Sequence, residues 1–449
     1  MKTRFTILLL IFSCFSVFAQ KTTVDPGDGT LEDAVSGASA GDTLVLKINS
    51  NYNILDRLLI DKKLTIMAQT IDTLPGLDDL PTITNLFAVD EIFLMGDGCD
   101  LSVISLDLDG GTGLYIFRPV SDTGVTISLN ADRCRMHNTT NNIFHQTADA
   151  NAQQTVLKNL VITNSFLYDN GAGHGIYTKN YMTSANTWMF QNITFWNIGQ
   201  QFNWIRAFPE GETQKIVFDH LTGYNLSTSE ADNKELFGNS DAATGEAKLD
   251  ITLKNSILSD QASTNPASLL FNNTTGNQTI TVKNMVLYNV QPVGNTGTVT
   301  TSGIQEDVDP QFTDPGNGDF TVQNSALYTA GDDGKILGAL YWAPDFVDCG
   351  VINCGGTGIH KTLTEKLPVD VYPNPFAQEV KFEFNLDRSE TVSIAIIDIS
   401  GRTVKTINRE ISAGAHTLSI GLNDLDNGAY IFNVSAGKNQ ATGRLIKSE

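Results

Sequence analysis

Val161-Ile162-Thr163-Asn164-Ser165-Phe166-Leu167-Tyr168 returns as Phe190-Gln191-Asn192-Ile193-Thr194-Phe195-Trp196-Asn197, then as Phe218-Asp219-His220-Leu221-Thr222-Gly223-Tyr224-Asn225. Leu253-Lys254-Asn255-Ser256-Ile257-Leu258 and Val282-Lys283-Asn284-Met285-Val286-Leu287-Tyr288-Asn289 continue the series. Each copy is an apolar pair, Asn or His, two residues, an apolar or aromatic pair, and often a closing Asn. The anchors Asn164, Asn192, His220, Asn255 and Asn284 are spaced 28, 28, 35 and 29 residues apart. Short strands at a near-fixed period, separated by polar turns, are the signature of a solenoid. The strands are rich in Val, Ile, Leu, Phe and Thr, with few helical patterns between them, which predicts a right-handed parallel β-helix over a helical repeat. Each anchor is expected in a turn, its side chain bonding neighbouring backbone.

Working outward, Thr30-Leu31-Glu32-Asp33-Ala34-Val35 predicts a short helix with Thr30 as N-cap. A helix there would shield the open end of the first coil. Gly41-Asp42-Thr43-Leu44-Val45-Leu46 and Lys63-Leu64-Thr65-Ile66-Met67 follow as strands. The run from Asp309-Pro310-Gln311-Phe312 to Ile336-Leu337-Gly338-Ala339 resembles the terminal coil of many Bacteroidetes β-helix proteins, which implies that it closes the solenoid. Residues 343–366, with Pro344, Gly350, Gly355, Gly356 and Gly358, read as a linker. Beyond it Val380 to Phe384, Val392 to Asp398 and Tyr430 to Val434 alternate as strands of a small Ig-like sandwich. The expected fold class is therefore all-β, a right-handed parallel β-helix solenoid followed by a small Ig-like β-sandwich.

At the N-terminus a basic Met1-Lys2-Thr3-Arg4 precedes an apolar run from Ile7 to Phe18, and Val17-Phe18-Ala19 fits a small-residue cleavage site. The run is too short to span a bilayer. The expected organisation is a signal peptide over 1–19, the solenoid over 20–342, the linker over 343–366 and the sandwich over 367–449. No transmembrane segment is expected after signal cleavage, and a monomer is expected.

The chain carries 29 basic and 50 acidic residues, a formal charge of −21. Residues 21–365 hold 18 basic and 40 acidic residues of that total. Such a field disfavours nucleic acid as a partner. It is compatible with calcium, for which Asp25-Pro26-Gly27-Asp28-Gly29 and Asp332-Asp333-Gly334 are the candidate turns. Neither has EF-hand spacing, so calcium stays open and no cofactor or metal ligand is assigned. Cys349 and Cys354 flank a short loop and could pair in an oxidising compartment; Cys99 and Cys134 could pair or be buried separately.

A second strand lies about a dozen residues after each anchor: Leu114-Tyr115-Ile116-Phe117-Arg118, Ile143-Phe144-His145-Gln146, Ile176-Tyr177-Thr178-Lys179 and Trp204-Ile205-Arg206. In a β-helix one position per coil stacks into a column, with coils about 4.8 Å apart. Arg118, His145, Lys179 and Arg206 are thus expected near one column, to within one residue of register. Stacked like charges are disfavoured unless an anion sits between them or solvent screens them. Tyr115, Tyr177 and Trp204 share these strands; they would either stack on sugar rings or point into the core. Glu210, on the following loop, and His174, in Gly173-His174-Gly175, complete the candidate substrate-binding residues. The partner expected from this set is an acidic polysaccharide.

Two resemblances extend this reading. Val371-Tyr372-Pro373-Asn374-Pro375-Phe376, Gly428-Ala429-Tyr430-Ile431-Phe432 and Arg444-Leu445-Ile446-Lys447 resemble the type A C-terminal sorting domain used by Bacteroidetes for type IX secretion. That implies type IX secretion machinery as a partner and delivery to the outer-membrane surface or the medium. Residues 25–342 resemble secreted pectate-lyase-like β-helix proteins, including chondroitinase B and alginate-lyase relatives. Chondroitinase-B-like enzymes use a Lys base and an Arg from adjacent coils, which implies Lys179 and Arg206 as the catalytic pair. The chain reads Tyr177-Thr178-Lys179-Asn180 where those enzymes carry Asn-Lys-Ser. Gly173-His174-Gly175 looks like one motif of polygalacturonase-type glycosidases, whose carboxylate-bearing partner motifs do not occur here. A non-catalytic carbohydrate-binding or adhesion protein at the cell surface is the alternative to a uronate-cleaving lyase.

Overall fold

The structure is a computed structural model of the 449-residue chain. It describes residues 19–69, 80–86, 90–120, 124–146, 155–182, 184, 186–208, 213–228, 236–239, 249–261, 270–271, 278–291, 293, 298–343, 369–374, 376–386, 388–398, 403–423, 425, 428–436 and 439–447. At Lys179–Met182 and Arg206–Phe208 only the backbone is described. Two compact units divide between Cys354 and Gly355. The signal peptide, the proposed linker from Pro344, Cys349 and Cys354 lie outside the described residues.

The repeat folds as the parallel β-helix its spacing predicts, with up to three strands per coil. One ladder runs from Lys21–Val24 through Thr43–Leu46, Lys63–Ala68, Asp100–Ile104, Thr126–Asp132 and Thr155–Thr163 to the first halves of Thr187–Ile198, Gln214–Leu226, Leu249–Gln261 and Gln278–Tyr288. A second joins Gly27–Asp28, Asn51–Ile54, Thr82–Asn85, Asp107–Asp109, Arg135–His137 and Phe166–Tyr168 to the later halves of the same long strands. The third joins Leu58–Ile60, Glu91–Met95, Tyr115–Pro119, Phe144–Gln146, Ile176–Met182, Asn203–Phe208 and Phe237–Asn239. All these pairings are parallel, and alternate residues fill a continuous apolar core that includes Phe93, Phe117, Phe144, Phe190, Phe202 and Phe218.

The anchors mark the bend between the first and second ladders. Asn164, Asn192, His220, Asn255 and Asn284 have φ of 49°, 56°, 54°, 52° and 51°, the left-handed region that asparagine tolerates best after glycine. Their side chains differ from expectation. The asparagines reach the neighbouring coil's side chain, not local backbone: Asn164 Nδ2 donates to Asp132 Oδ1 at 2.8 Å and Asn192 Nδ2 to Asn164 Oδ1 at 2.6 Å, while His220 Nδ1 lies 3.0 Å from Gly338 O. Only a repeat of identical turns lets one amide serve as donor upward and acceptor downward. A second ladder follows at the closing Asn, with Asn197 Nδ2 on Asp169 Oδ1 and Asn225 Nδ2 on Asn197 Oδ1, both at 2.7 Å. Asn192 Oδ1 also accepts from Leu340 N at 2.6 Å. Asn192→Ala removes these bonds and forces alanine into left-handed backbone, an expected loss of about 3 kcal/mol. Asn192→Gly removes the bonds alone and should cost about half that. Urea midpoints of the two variants check the split.

The N-terminal helix spans Thr30–Gly37 and buries Leu31 and Val35 against the first coils. Its N-cap is Gly29 at φ 71°, not Thr30, whose hydroxyl reaches back to Gly27 O at 3.3 Å. Glu32 accepts from Leu55 N at 2.6 Å, while Lys62 Nζ donates to Val35 O and Ala38 O at 3.3 and 2.9 Å. The lysine thus satisfies carbonyls at the negative end of the helix.

Residues 307–343 do not form the expected terminal coil. After Thr298–Glu306 the chain turns back and lies as a strap along the outside of the second ladder, through an antiparallel pair (Phe312–Asp314 with Asp319–Val322) and three 3-10 turns. It runs from later coils to earlier ones. Asp332 N bonds Asn255 Oδ1 at 2.9 Å, Ala339 N bonds Thr222 Oγ1 at 2.8 Å, and Trp342 Nε1 bonds Thr194 Oγ1 at 2.6 Å. Its apolar residues Val322, Leu327, Ile336 and Leu337 close on Ile257 and Val286, and Phe320 and Trp342 close on Phe166.

The C-terminal unit is a sandwich. Val369–Tyr372, Glu379–Leu386 and Gly414–Gly421 form one antiparallel sheet; Thr403–Ile411, Glu390–Asp398, Gly428–Ala436 and Asn439–Lys447 form the other. Phe382 meets Phe432 edge to face at 5.2 Å across its core. Lys447 Nζ is tied to the carbonyls of Leu422, Asn423 and Leu425 at 2.9, 3.1 and 2.6 Å.

Candidate functional site

The third ladder presents its outward residues as a column. Arg118 follows Phe117, which pairs with Phe144, so Arg118 and His145 occupy equivalent positions. His145 pairs with Tyr177, and Tyr177 with Trp204. All four are part-exposed, while Phe117, Phe144, Ile176 and Ile205 between them are buried. Tyr177 and Trp204 therefore face outward. Lys179 pairs with Arg206, two positions further along the same strands. The single column expected for Arg118, His145, Lys179 and Arg206 is thus two columns. Residue 147, which would oppose Lys179, lies outside the described residues.

The outward column is a ring stack. Tyr115 and His145 lie 4.1 Å apart at 17°, and His145 and Tyr177 lie 5.1 Å apart at 9°. Trp204 breaks the pattern, standing at 88° to Tyr177 and 5.4 Å from it. Rings stacked along the solenoid turn their edges outward. Tyr177 therefore turns its edge outward, while Tyr115, three positions before Arg118, is buried, the core alternative of the two expected for it.

The charge of this face also differs from expectation. Arg118 Nη1 lies 3.4 Å from Glu91 Oε2 and 3.7 Å from Asp90 Oδ1. Arg57 pairs with the same Asp90 and, at 3.4 Å, with Glu91 Oε1. Glu91 is fully buried, and burial raises its pKa even though both guanidinium groups pull it down. Arg118 is thus committed to carboxylates, with its guanidinium 5.9 Å from the Tyr115 ring. His145 is neutral at physiological pH: burial, helped by the Arg118 charge, depresses its pKa to about 4. Asn142 Nδ2 lies 2.5 Å from His145 Nδ1. Two of the four expected cations, Arg118 and His145, are thus ion-paired or neutral.

The depressed pKa has a stability consequence. The unfolded chain protonates His145 near its ordinary value of about 6.5, and the folded chain only near 4. Over that window the unfolded state binds more protons, so this group's contribution falls as pH falls from about 6.5 to about 4. His145→Phe keeps the stack and is expected to flatten the decline in melting temperature across that window.

His174 lies behind the face. It is 5 % exposed, stacks on Tyr177 at 5.0 Å and meets Trp204 edge-on at 5.3 Å. Its flanking glycines are required by close approach: a Cβ at Gly173 would come within 2.3 Å of Asn141 backbone, and one at Gly175 within 2.7 Å of Phe202 O. Gly173-His174-Gly175 is therefore a coil-packing turn that supports the aromatic face, a correction to its expected contact with substrate. Glu210 lies outside the described residues.

The candidate calcium turns do not fit a cation. Asp25 pairs with Lys47 at 2.6 Å, and Asp332 with Lys283 at 2.6 Å and Lys254 at 3.3 Å. Asp333 lies 3.2 Å from His220 Nε2, a contact that holds its pKa well below the usual range against desolvation. Among the described residues no group of three or more His, Cys, Asp or Glu side chains is arranged to hold a metal ion. Cys99 and Cys134 are separate buried thiols, each pushed up to about 12 by burial.

Parts of the chain are similar to known families and structures. Residues 370–448 match the secretion system C-terminal sorting domain. A sorting domain of this kind implies a secreted or cell-surface protein, and among the described residues no helix is long and apolar enough to cross a membrane. Residues 216–334 match a domain of unknown function (DUF5123), which spans the later coils and most of the strap. No curated protein matches the chain. Among solved structures, the PL6 family alginate lyase AlyGC is similar in mutant and unmutated form, with TM-scores of 0.45 and 0.43, both at 15% identity. The match covers 64% of this chain and 40% of the lyase, so the chain spans less than half of that enzyme's length. The Acinetobacter phage vB_ApiP_P1 tailspike protein matches at 12% identity and TM-score 0.29, over 96% of this chain and 80% of the tailspike.

Proposed function

We propose that this protein works outside the cell, at the outer-membrane surface or in the medium, on an acidic polysaccharide laid along the third ladder. The observation that carries the reading is the backbone pairing of Lys179 with Arg206 on adjacent coils, two positions from an outward row of polar ring edges. A glycan extended along the solenoid would meet one coil about every 4.8 Å, close to the length of one sugar. Arg206 would neutralise a uronate carboxylate, acidifying the C5 proton and stabilising the charge that develops on its removal. Lys179, paired with Arg206 along the backbone, would take that proton. The C5–H electron pair becomes the C4–C5 double bond, the C4–O bond breaks, and the leaving oxygen takes the proton held by Lys179. Tyr177 and Trp204 would position the sugars on either side.

A second reading, non-catalytic binding at the cell surface, is favoured by the ion pairing of Arg118 and the neutral state of His145, which removes two of the four cations expected there. Titrating the secreted chain with alginate, pectate and chondroitin sulfate oligosaccharides at increasing salt tests both readings together. Binding that weakens with salt and yields an unsaturated product supports the lyase. Salt-sensitive binding without product supports the second reading, and binding to none of the three contradicts both.

A further inference from the structure

Asn142 fixes which ring nitrogen of His145 carries the proton. Asn142 is 2 % exposed and lies just before the strand Phe144–Gln146. Its Oδ1 accepts from the backbone N–H of His174, on the next coil, at 2.5 Å. A backbone N–H can only donate, so this contact sets the orientation of the amide. The other end of the amide, Nδ2, is a donor and lies 2.5 Å from His145 Nδ1. Nδ1 therefore accepts, and the one ring proton sits on Nε2. The ring is neutral on this geometry alone, and its depressed pKa agrees.

The same neighbours decide what the ring can do. Tyr115, from the preceding coil, stacks on one face at 4.1 Å, and Tyr177, from the next, on the other at 5.1 Å. Asn142 takes the nitrogen nearer the backbone. Nε2 lies at the far edge of an imidazole, and His145 is the part-exposed, outward residue between buried Phe144 and Gln146. The basic nitrogen is thus occupied, which bars His145 from acting as a general base. The far edge carries a fixed donor. Arg118, at the equivalent position one coil earlier, is tied to Glu91 and Asp90.

We propose that His145 is a substrate-binding residue whose Nε2–H donates to the carboxylate of the sugar one coil before the Lys179 and Arg206 pair. The proposal rests on the reading that an acidic polysaccharide lies along the third ladder. His145 pairs with Tyr177, two positions before Lys179, so the two sites fall on successive coils of one face. A donor with no lone pair to offer matches a carboxylate oxygen, which only accepts, better than a hydroxyl, which also has a proton to place. It also holds an anion without placing another charge beside Arg118. His145 would therefore set the register of the uronate chain, and Lys179 remains the base.

The test has two parts. Calorimetric titration of the full secreted chain with alginate, pectate and chondroitin sulfate oligosaccharides gives the affinity. His145→Phe keeps a ring between Tyr115 and Tyr177 but loses the donor, and is expected to weaken binding of the responsive glycan about tenfold. His145→Gln loses the ring but restores a side-chain N–H, and is expected to recover part of that loss. Nitrogen NMR of the 15N-histidine-labelled chain reads the tautomer directly, with a bare Nδ1 and a protonated Nε2 expected for His145, and an Nε2 shift on glycan addition. Equal affinity in the wild type and His145→Phe, or a proton on Nδ1, would overturn this inference and leave the polysaccharide reading standing. Failure of all three glycans to bind the wild type would overturn both.

Discussion

Lys179→Ala is expected to lower the rate of uronate elimination by about 10²–10⁴-fold, the range general-base removal produces. Arg206→Ala should cost about 10²–10³-fold, as loss of one electrostatic stabiliser does. The pair shares one substrate carboxylate and the adjacent proton, so the double variant should fall well short of the product of the two losses. Ring variants should behave differently. Tyr177 lies two positions before Lys179 on the same strand, and its change is expected to raise KM more than it lowers kcat. Arg118→Gln should leave kcat nearly unchanged, since Arg118 is held by Asp90 and Glu91. Initial rates on the responsive polymer check the whole set, and equal losses at Arg118 and Arg206 would contradict the assignment of charges.

The largest stability effect is expected at the end of the strap. Trp342 is 8 % exposed, packs on Phe166 at 5.6 Å and Phe320 at 5.4 Å, and donates to Thr194. Trp342→Ala removes this packing and leaves Thr194 without that donor, an expected cost of about 3–5 kcal/mol. The loss should appear first as detachment of the strap, with protease cleavage near its start while the coils stay protected. Leu59→Ala, at a side chain 50% exposed, is the control and should change stability by less than about 0.5 kcal/mol. Circular dichroism melts with limited proteolysis separate the two outcomes; a Trp342→Ala chain as stable as the control would show that the strap contributes nothing to the fold.

Much of the fold was legible because a solenoid repeats its local physics. The left-handed bend at each anchor demands asparagine or its few substitutes, so the spacing of Asn164, Asn192 and His220 marks the coils directly. The strap was not legible by the same route. Its apolar runs, such as Ile336-Leu337, resemble coil strands, and only where they pack tells them apart. A signal was available in Phe166, Ile257 and Val286, which are apolar where a solvent-facing residue belongs; a strand buried on both faces needs a cover. The site was half legible. Lys179 and Arg206 lie 27 residues apart with no described break between their strands, so their register could be counted. His145 and Tyr177 are 32 positions apart, against 27 for Tyr177 and Trp204, and so uneven a spacing hides a register from counting. Arg118 was not legible in the same way: its strand partner is Leu94, and it reaches Glu91, the partner of Tyr115, only diagonally, which no count of coil spacing shows.

The most direct test of the account is the ultraviolet absorbance of the unsaturated uronide, followed while the full secreted chain acts on alginate, pectate and chondroitin sulfate. The account predicts a rising signal on one of these polymers, abolished by Lys179→Ala and Arg206→Ala. A flat signal on all three, or one that survives both substitutions, would contradict it.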